Sequence, residues 1–379
     1  MATRLDTIAP RLLAYPMHGQ HKLLSEGYRT RDGHLIEWLG SLTSNDGGVA
    51  VISRPEPALL PVRTPAGRGV AHGTHPVSTR TLRLPNPRSR RRWWVDSASG
   101  YPVIPASLAD LPALVWNPFT ALSGGARSPF SGRVTVFDLL DDWTKHYAFH
   151  SIRDDVDRAY RAAFAAATHV TANAEGTAEL ARRYGRDDVL LLPNGCDPHR
   201  FEPHSTAAGR TRVGYVGKIG NRLDLDGILV TAAALPDVEF VFAGPILDRA
   251  YRAPLEAAPN ITLLGDVHYE DVPALLRSFD VGWVPHNVGD LEVGGDIIKT
   301  YEYRAAALPT LSTPVVGAGS RGLDGITALP IGEHAGVLRG WITDGGRVPR
   351  RPGIVPEDAT WEHKARSVSR LLMGAEVTA

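Results

Sequence analysis

Residues 212–243 read RVGYVGKIGNRLDLDGILVTAAALPDVEFVFA, and this stretch decides the fold. An apolar strand at 212–216 leads through a glycine-rich turn to a helical segment at 223–235 and a second apolar strand at 238–242. The same alternation then continues as helix 247–257, strand 261–264, helix 271–278, strand 281–284, helix 297–307 and strand 310–312. Strands that alternate with helices predict a parallel sheet with helices on both faces.

A second block of the same kind precedes residue 200. Its predicted elements are strands 113–116 and 133–137, helix 154–167, strand 169–172, helix 174–184 and strand 189–192. The polar stretch 198–210 indicates a linker. We therefore predict an α/β protein with two Rossmann-like domains, at 1–200 and 201–350. In the tail, 351–379, a helix over 356–373 has one apolar face and is expected to pack back towards the first domain.

Composition excludes several classes of protein. The 379 residues carry 41 Lys and Arg against 41 Asp and Glu, and 43% are hydrophobic. This balance argues against wholesale disorder and against a dedicated nucleic-acid binder. The single cysteine, Cys196, excludes an internal disulfide and a zinc site built on several thiolates. Without an apolar leader or a span of about 20 apolar residues, we expect a cytoplasmic protein, with the inner face of the membrane as an alternative.

The irregular part of the first domain is strongly basic. Residues 54–130 are rich in Pro, Gly, Ser and Arg and predict long loops, and 57–95 contains eight arginines and no acid. The segment from Arg88 to Trp94 reads RSRRRWW. One interpretation is peripheral contact with anionic lipid or with an acidic acceptor, with the tryptophans at the interface. The alternative is a solvated arginine loop whose tryptophans pack on the domain.

Several segments together resemble nucleotide-sugar glycosyltransferases of the two-domain GT-B fold, particularly family 4 and its relatives. The segments are 134–143 (VTVFDLLDDW), 169–174 (HVTANA), 190–201 (LLLPNGCDPHRF), 213–220 (VGYVGKIG), 238–245 (VEFVFAGP), 260–273 and 299–309 (KTYEYRAAALP). The layout also resembles the xanthan-pathway glucuronosyltransferase, an inverting enzyme. Its catalytic aspartate follows a strand much as Asp141 does here, and its phosphate-binding lysine matches Lys299.

The resemblance implies two parallel sheets that face each other across a cleft. It implies an acceptor site on the first domain and a nucleotide-diphosphate sugar on the second. UDP is the default nucleotide. No obligatory metal and no tightly bound cofactor are implied, because helix dipoles and lysines stabilise the diphosphate.

A glycine pair before a helix is the first predicted part of the donor site. Gly294 and Gly295 let the backbone approach a ligand, and the following helix start favours a diphosphate. Lys299 lies one turn into the helix, and Glu302 shares its face, with Thr300 between them. The alternative is a glycine turn that caps a surface helix with a Glu–Lys pair.

A second glycine-rich turn, with Gly217 and Lys218, follows the strand at 212–216. Such a turn suits a phosphate, and Lys218 would neutralise the leaving diphosphate, although a tight turn with an exposed lysine is the alternative. Gly244, Asp266 and His286 also follow strands of the second domain and are assigned to the nucleotide pocket.

Three aspartates follow the strand at 133–137. Asp141 is the first choice for the base that inversion requires and Asp142 the second, with helix capping or a salt bridge as the alternative. Many family 4 enzymes have a glutamate eight positions before the residue that matches Glu302. Here Gly294 stands at that position, which tilts the expectation from retention towards inversion.

Residues 28–34 open a helix near the start of the first domain. Helix starts of this domain face the acceptor in the family, so Arg31, Asp32 and His34 are predicted to bind the acceptor. Ordinary helix capping by Asp32 is the alternative.

Together these features predict a glycosyltransferase that moves a sugar from a nucleotide-diphosphate donor to a hydroxyl acceptor. The product would be a polysaccharide, a glycolipid or a natural-product glycoside, and a lipid-linked acceptor is one option. Two rivals remain open: a nucleotide-sugar 2-epimerase of the same fold, and a non-catalytic sugar-nucleotide or polysaccharide-binding protein.

Overall fold

Two parallel β-sheets organise the chain, which confirms the predicted α/β architecture with two Rossmann-like domains. The computed structural model describes residues 5, 8–59, 70–77, 79–289, 295–315, 317, 321, 324–343 and 345–374. Within these ranges, the first unit comprises the residues up to Pro193 together with Gly295 and residues 361–374. The second unit comprises 194–289 and 296–360.

The sheet of the first unit has the strand order β4-β2-β1-β6-β7-β8-β9, with all neighbours parallel. The strands of this unit are β1 (Leu12–Tyr15), β2 (Val49–Ile52), β3 (Glu56–Pro57), β4 (Thr74–Val77), β5 (Arg80–Thr81), β6 (Ala113–Val115), β7 (Thr135–Leu139), β8 (His169–Ala172) and β9 (Leu190–Leu191). Strands β3 and β5 form a separate pair. The order reverses between β1 and β6, which is the place where open α/β sheets bind ligands.

The described residues before the linker form the following α-helices of the first unit. They are α1 (Gln20–Glu26), α2 (Arg31–Thr43), α3 (Trp93–Asp96), α4 (Arg153–Ala166) and α5 (Glu175–Arg183). Helix α4 shows why the pattern predicts a helix, because Val156, Tyr160, Ala163 and Phe164 lie on one face and are all buried.

The sheet of the second unit has the order β12-β11-β10-β13-β14-β15, again with all neighbours parallel. Its strands are β10 (Arg212–Val216), β11 (Glu239–Ala243), β12 (Ile261–Gly265), β13 (Val281–Val284), β14 (Thr310–Ser312) and β15 (Ile326–Ala328). Its helices are α6 (Leu225–Ala234), α7 (Arg252–Ala257), α8 (Val272–Arg277), α9 (Ile298–Ala305) and α10 (His334–Trp341). The order reverses between β10 and β13.

Helix α11 (Trp361–Met373) packs on the first unit. Trp361, Ala365, Val368 and Leu372 form its buried face, and the Trp361 ring stacks on His34 of α2 with centroids 4.8 Å apart. The helix begins five residues later than predicted, because 357–359 form a 3₁₀ turn.

Two further boundaries differ from the predictions for local reasons. The helix predicted at 223–235 begins at Leu225, because the Asp224 carboxylate accepts a hydrogen bond from the backbone N–H of Gly227 at 2.9 Å and caps it. The helix predicted at 247–257 is a 3₁₀ turn, Arg249–Tyr251, followed by the shorter α7.

Candidate functional site

The reversal point of the second sheet brings together several residues that the sequence singled out. Gly217 directly follows β10, and His286 lies two residues after β13. Both positions are at carboxyl ends of neighbouring parallel strands. A ligand of the second unit is expected at this edge.

Close contacts of the backbone at the carboxyl edge of the second sheet require glycine. The Gly217 N–H donates to the carbonyl oxygen of Ala243 at 2.8 Å, and a Cβ at Gly244 would overlap the Gly217 carbonyl. A Cβ at Gly217 would lie 3.1 Å from Cε of Lys299. Gly244 therefore lets the two strand-end loops pack together, and Gly217 gives Lys299 room beside the loop.

Lys299 is a half-buried cation in the first turn of α9. Its Nζ lies 5.1 Å from the centroid of the Tyr215 ring. Among the described residues, the ammonium group makes no hydrogen bond or ion pair. Burial, followed by the positive charge of Arg222, lowers the pKa of Lys299 to about 8, while Glu302 acts in the opposite direction. Such a group is stabilised by an incoming anion.

Arg222 and His286 extend the same cluster. Burial and then the charges of Lys299 and Arg222 lower the pKa of His286 well below its ordinary value, so its imidazole is neutral at pH 7. The Nε2 atom of His286 is buried and has no hydrogen-bond partner within the described residues. The sequence reasoning missed Arg222, because no motif marks it in the turn before α6.

The other residues predicted to bind the donor lie in different surroundings. Thr300 is buried, and its hydroxyl donates to the carbonyl oxygen of Ile297 at 2.7 Å. Glu302 is only 5% exposed and acts on the pKa values of Tyr269 and Tyr303, so it faces the interior of the unit. The alternative of a surface Glu–Lys pair therefore does not describe this helix.

The remaining predicted donor residues are spread along the sheet edge. Lys218 is half-buried, and its carbonyl oxygen accepts a hydrogen bond from the Tyr215 hydroxyl at 2.9 Å. Asp266 is exposed after β12, the edge strand. Gly294 lies outside the described residues.

Gly295 lies against Asp141 in the first unit. A Cβ at Gly295 would lie 2.5 Å from Oδ1 of Asp141 and 2.6 Å from the carbonyl oxygen of Leu140. The close approach expected of this glycine is therefore made to the loop after β7. Asp141 is half-buried there.

Asp142 has structural partners. It is 1% exposed and accepts hydrogen bonds from Nη2 of Arg183 at 2.6 Å and from the backbone N–H of Thr144 at 2.9 Å. These contacts match the salt-bridge alternative, so Asp141 is the better candidate for a base.

The three residues predicted to bind the acceptor are buried inside the first unit. Arg31 forms two hydrogen bonds with the Asp138 carboxylate, at 2.7 and 2.9 Å. Asp32 is fully buried and accepts hydrogen bonds from the backbone N–H groups of Met17 and His18. His34, 1% exposed, stacks on the α11 tryptophan already described. These contacts hold the Arg31 and Asp32 side chains in the interior of the first unit.

Asp32 also does not cap α2 through its side chain, since the N-cap residue is Thr30 and no side-chain cap bond is formed. Burial alone would raise the pKa of Asp32, but hydrogen bonding and charge from His18, with a hydrogen bond from Thr30, lower it to about 2. The residue instead anchors the chain after β1.

The basic segment contains one buried tryptophan, one half-buried tryptophan and exposed arginines. Trp93 is 8% exposed, and Trp94 packs against the rings of Trp143 and Phe149 at centroid distances of 5.3 and 5.6 Å. The tryptophans therefore follow the packing alternative and not the interfacial one. The exposed residues of the segment are Arg88, Arg90, Arg91 and Arg92.

The described residues contain neither a candidate membrane span nor a candidate metal cluster. No helix there has the length and apolar character to cross a membrane. No group of three or more His, Cys, Asp and Glu side chains in the same ranges has the arrangement of a metal site.

Comparisons with known proteins identify the fold. No protein-family model matches the chain. Over 140 residues, 34% of this chain and 35% of the relative, it is 26% identical to a protein of Bacillus subtilis (strain 168) described as a proposed teichuronic acid biosynthesis glycosyltransferase, TuaH. The match thus spans about a third of that relative's length.

Solved structures are similar over nearly the whole chain. Sucrose-phosphate synthase from Thermosynechococcus elongatus is 13% identical with a TM-score of 0.67, covering 96% of this chain and 98% of that one. Anabaena HepE, in complex with UDP and glucose, is 15% identical with a TM-score of 0.58, covering 97% and 96%. These structural neighbours are GT-B glycosyltransferases, and the predicted GT-B fold is confirmed.

Proposed function

We propose that the protein is a glycosyltransferase that transfers a sugar from a nucleoside-diphosphate donor to a hydroxyl acceptor. The observation that carries this proposal is the position of Lys299, a half-buried cation next to Arg222 at the reversal point of the second sheet. The GT-B fold supplies the context in which such a cluster serves sugar transfer.

A diphosphate fits the chemistry of this cluster. Burial and the charge of Arg222 disfavour the protonated form of Lys299, while Glu302 favours it, so an added anion would stabilise the ammonium group. Departure of the nucleoside diphosphate concentrates negative charge on its phosphate oxygens. Fixed positive charge in a partly dehydrated site stabilises that charge as it develops. In this proposal Lys299, Arg222 and Lys218 hold the phosphates.

His286 is proposed to contact the same donor as a neutral group. Its buried Nε2 can exchange a hydrogen bond with a donor oxygen, which supplies the missing partner. Gly217 and Gly244 keep the neighbouring backbone close enough for the ligand.

We propose a UDP-sugar as the donor. Support comes from the structure of HepE, which is a complex with UDP and glucose. The description of TuaH as a proposed teichuronic acid biosynthesis glycosyltransferase supports a polysaccharide as the product. Metal independence is proposed as well, because the cations of the cluster take the role that a metal ion would otherwise have.

Asp141 is proposed as the base that accepts the proton of the attacking hydroxyl in an inverting reaction. The partners of Asp142 leave it unsuited to this role, since its carboxylate is bound to Arg183. Asp141 keeps partial exposure at the end of β7. A 2-epimerase and a non-catalytic binding protein remain the rivals that experiment must exclude.

The donor site is tested by calorimetric titration with UDP, GDP, dTDP, ADP and CDP, each with and without EDTA. One diphosphate should bind wild type in both conditions, and Lys299→Met should weaken it about a hundredfold. Arg252→Met is the matched control, because Arg252 is exposed in the same unit and pairs with Glu256. Equal affinity of wild type and Lys299→Met would contradict the donor site.

Turnover separates the enzyme from its rivals. Asp141→Asn should keep UDP binding and lose sugar transfer, whereas a binding protein has no turnover to lose. A 2-epimerase would isomerise a UDP-sugar with no acceptor present, which NMR of the sugar detects. Isomerisation without an acceptor would replace the proposed activity with the epimerase.

A further inference from the structure

Three large apolar side chains of the first unit are exposed at one end of the short β3–β5 pair. Leu82 is 80% exposed, Leu59 69% and Leu84 56%. The backbone N–H of Ala58 donates to the carbonyl oxygen of Thr81 at 2.7 Å, so the chain at Leu59 runs beside the chain at Leu82. Leu84 follows two residues later. Neighbouring exposed leucines of this kind indicate a surface that contacts another molecule.

The leucines at 82 and 84 belong to a surface loop that closes on itself. Nη1 of Arg83 donates to the carbonyl oxygen of Asp96 at 3.2 Å, which ties the beginning of the loop to its end. Between them the chain turns at 86–89, where the backbone N–H of Ser89 donates to the carbonyl oxygen of Asn86 at 3.1 Å. The exposed leucines and the arginines of the basic segment therefore share one compact loop.

The base of this loop is anchored by its two tryptophans. Trp93 is buried, its carbonyl oxygen accepts a hydrogen bond from Oγ of Ser97 at 2.6 Å, and Trp94 packs on the rings of Trp143 and Phe149. The tryptophans are thus occupied by packing inside the unit. The apolar side chains that the loop offers to its surroundings are the leucines, which the sequence analysis did not single out.

Positive charge beside the leucines is only partly neutralised. Arg92 pairs with Asp96 and with Asp155, at 3.6 and 3.3 Å. Arg88, Arg90 and Arg91 are exposed, and their side chains form no ion pair within the described residues. Residues 57–95 contain no acidic side chain. The loop therefore combines exposed apolar groups with guanidinium groups that remain available for an external anion.

We propose that this loop binds the headgroup region of a lipid bilayer that contains anionic lipids. The proposed leucine–arginine surface consists of Leu59, Leu82, Leu84, Arg88, Arg90 and Arg91. The leucines enter the apolar boundary of the bilayer, and the guanidinium groups pair with lipid phosphates. An acidic polymer would pair with the arginines but would leave the leucines in water, so the lipid surface fits both halves. This inference goes beyond the proposed function and needs no occupied donor site.

The experiment measures sedimentation of the full chain with two kinds of vesicle, at low and at high ionic strength. One kind is phosphatidylcholine alone, and the other contains about 30% phosphatidylglycerol. We expect binding to the anionic vesicles to be at least about tenfold tighter than to the neutral ones at low ionic strength.

A double variant, Leu82→Ser with Leu84→Ser, tests the apolar half of the surface. Its affinity for the anionic vesicles should fall about tenfold or more, and by the same factor at both ionic strengths, because apolar transfer is not screened by salt. Its melting temperature should not fall, since both side chains are exposed. Leu247→Ser is the matched control, because Leu247 is 56% exposed in the second unit, and it should bind like wild type.

A second double variant, Arg90→Gln with Arg91→Gln, tests the charged half. Each lost charge should weaken binding to the anionic vesicles about fivefold at low ionic strength, and salt should reduce the difference from wild type. Arg182→Gln removes an equal charge elsewhere, on α5, where Arg182 is exposed and pairs with Glu179. This control should retain the affinity of wild type.

Three results would overturn the lipid-binding surface. The first is equal binding of wild type to both kinds of vesicle, and the second is unchanged vesicle affinity in the leucine variant. The third is binding to soluble polygalacturonate without binding to either vesicle, which would assign the arginines to an acidic polymer. UDP titration is independent of all three, so failure of the donor site and failure of this surface are distinguishable.

Discussion

The two sheets reverse their strand order in the same way, but the residues at the two reversal points differ in kind. In the second unit, glycines at 217 and 244 bring backbone close to Lys299, a cation with no ion-pair partner among the described residues. In the first unit, the reversal point is formed by large side chains, and among the described residues the Tyr15 hydroxyl and Nη1 of Arg54 have no hydrogen-bond partner.

The difference shows how one topology serves two kinds of recognition. A diphosphate is a compact, highly charged group, so backbone N–H groups and cations are sufficient to hold it. An acceptor differs in shape and charge from one enzyme to the next, so rigid aromatic and guanidinium groups suit it better. A charged side chain at the end of a strand can stabilise the fold or bind a ligand, and substitutions distinguish these two roles.

The largest effect is expected on the free energy of unfolding, at the buried ion pair of Arg31 and Asp138. Arg31→Met would leave the buried carboxylate of Asp138 without its main partner and should lower the free energy of unfolding by about 3–5 kcal/mol. Chemical denaturation measures this change. Adding Asp138→Asn should recover part of it, because the uncompensated charge is then removed. If Arg31→Met keeps its stability but no longer transfers sugar, Arg31 would again be assigned to acceptor binding.

A comparably large effect on activity, without loss of stability, is expected at the second reversal point. Lys299→Met should reduce kcat/KM for the UDP-sugar about 10²–10³-fold, because a cation that stabilises the leaving group is lost. Its melting temperature at pH 7 should not fall, since partial burial of the charged ammonium costs stability. A variant that melts earlier and binds UDP normally would make Lys299 structural.

An intermediate effect is expected on raising the pH. The pKa of Lys299 in the free protein is about 8, and only the protonated form pairs with the diphosphate. UDP affinity should therefore be constant below pH 7.5 as far as this group is concerned, and should fall about tenfold or more by pH 9.5. Calorimetry across this range measures the profile. The slope should vanish in Lys299→Met, and a flat wild-type profile would exclude Lys299 as the titrating ligand.

The smallest effect is expected away from both reversal points, at the exposed arginines of the first unit. Arg91→Gln should weaken binding to anionic vesicles about fivefold, and added salt should reduce the difference, because an exposed charge acts through screened attraction. Sedimentation with anionic and neutral vesicles measures this change. Equal binding of wild type to both kinds of vesicle would contradict contact with anionic lipid.

The sequence predicts the second sheet better than the first for a physical reason. Strands β10 and β13 have the predicted boundaries, because turn residues and helical segments flank their apolar runs. Strands β1 and β2 were not predicted, since LLAY and VAVI are buried runs of only four residues outside the regular alternation of strands and helices. Periodicity alone does not identify such short apolar runs as strands.

The candidate site residues of the second unit were also easier to predict than those of the first. The structure brings Gly217, Lys299 and His286 together, as their positions after strands and at a helix start indicated, while their contact with a donor stays a prediction. In the first unit, the position of Leu59 beside Leu82 could not be found from the sequence, because it depends on the pairing of β3 with β5 within an irregular stretch. Pairing of separated segments leaves no local spacing to detect.

Hydrogen–deuterium exchange with and without UDP tests the central assignment most directly. UDP should protect backbone amides in 213–222, 281–288 and 296–303, which surround the reversal point of the second sheet. Lys299→Met should lose this protection at the same UDP concentration, and Arg252→Met should keep it. Protection confined to peptides around β1 and β2, with 213–222 and 296–303 unchanged, would contradict the account.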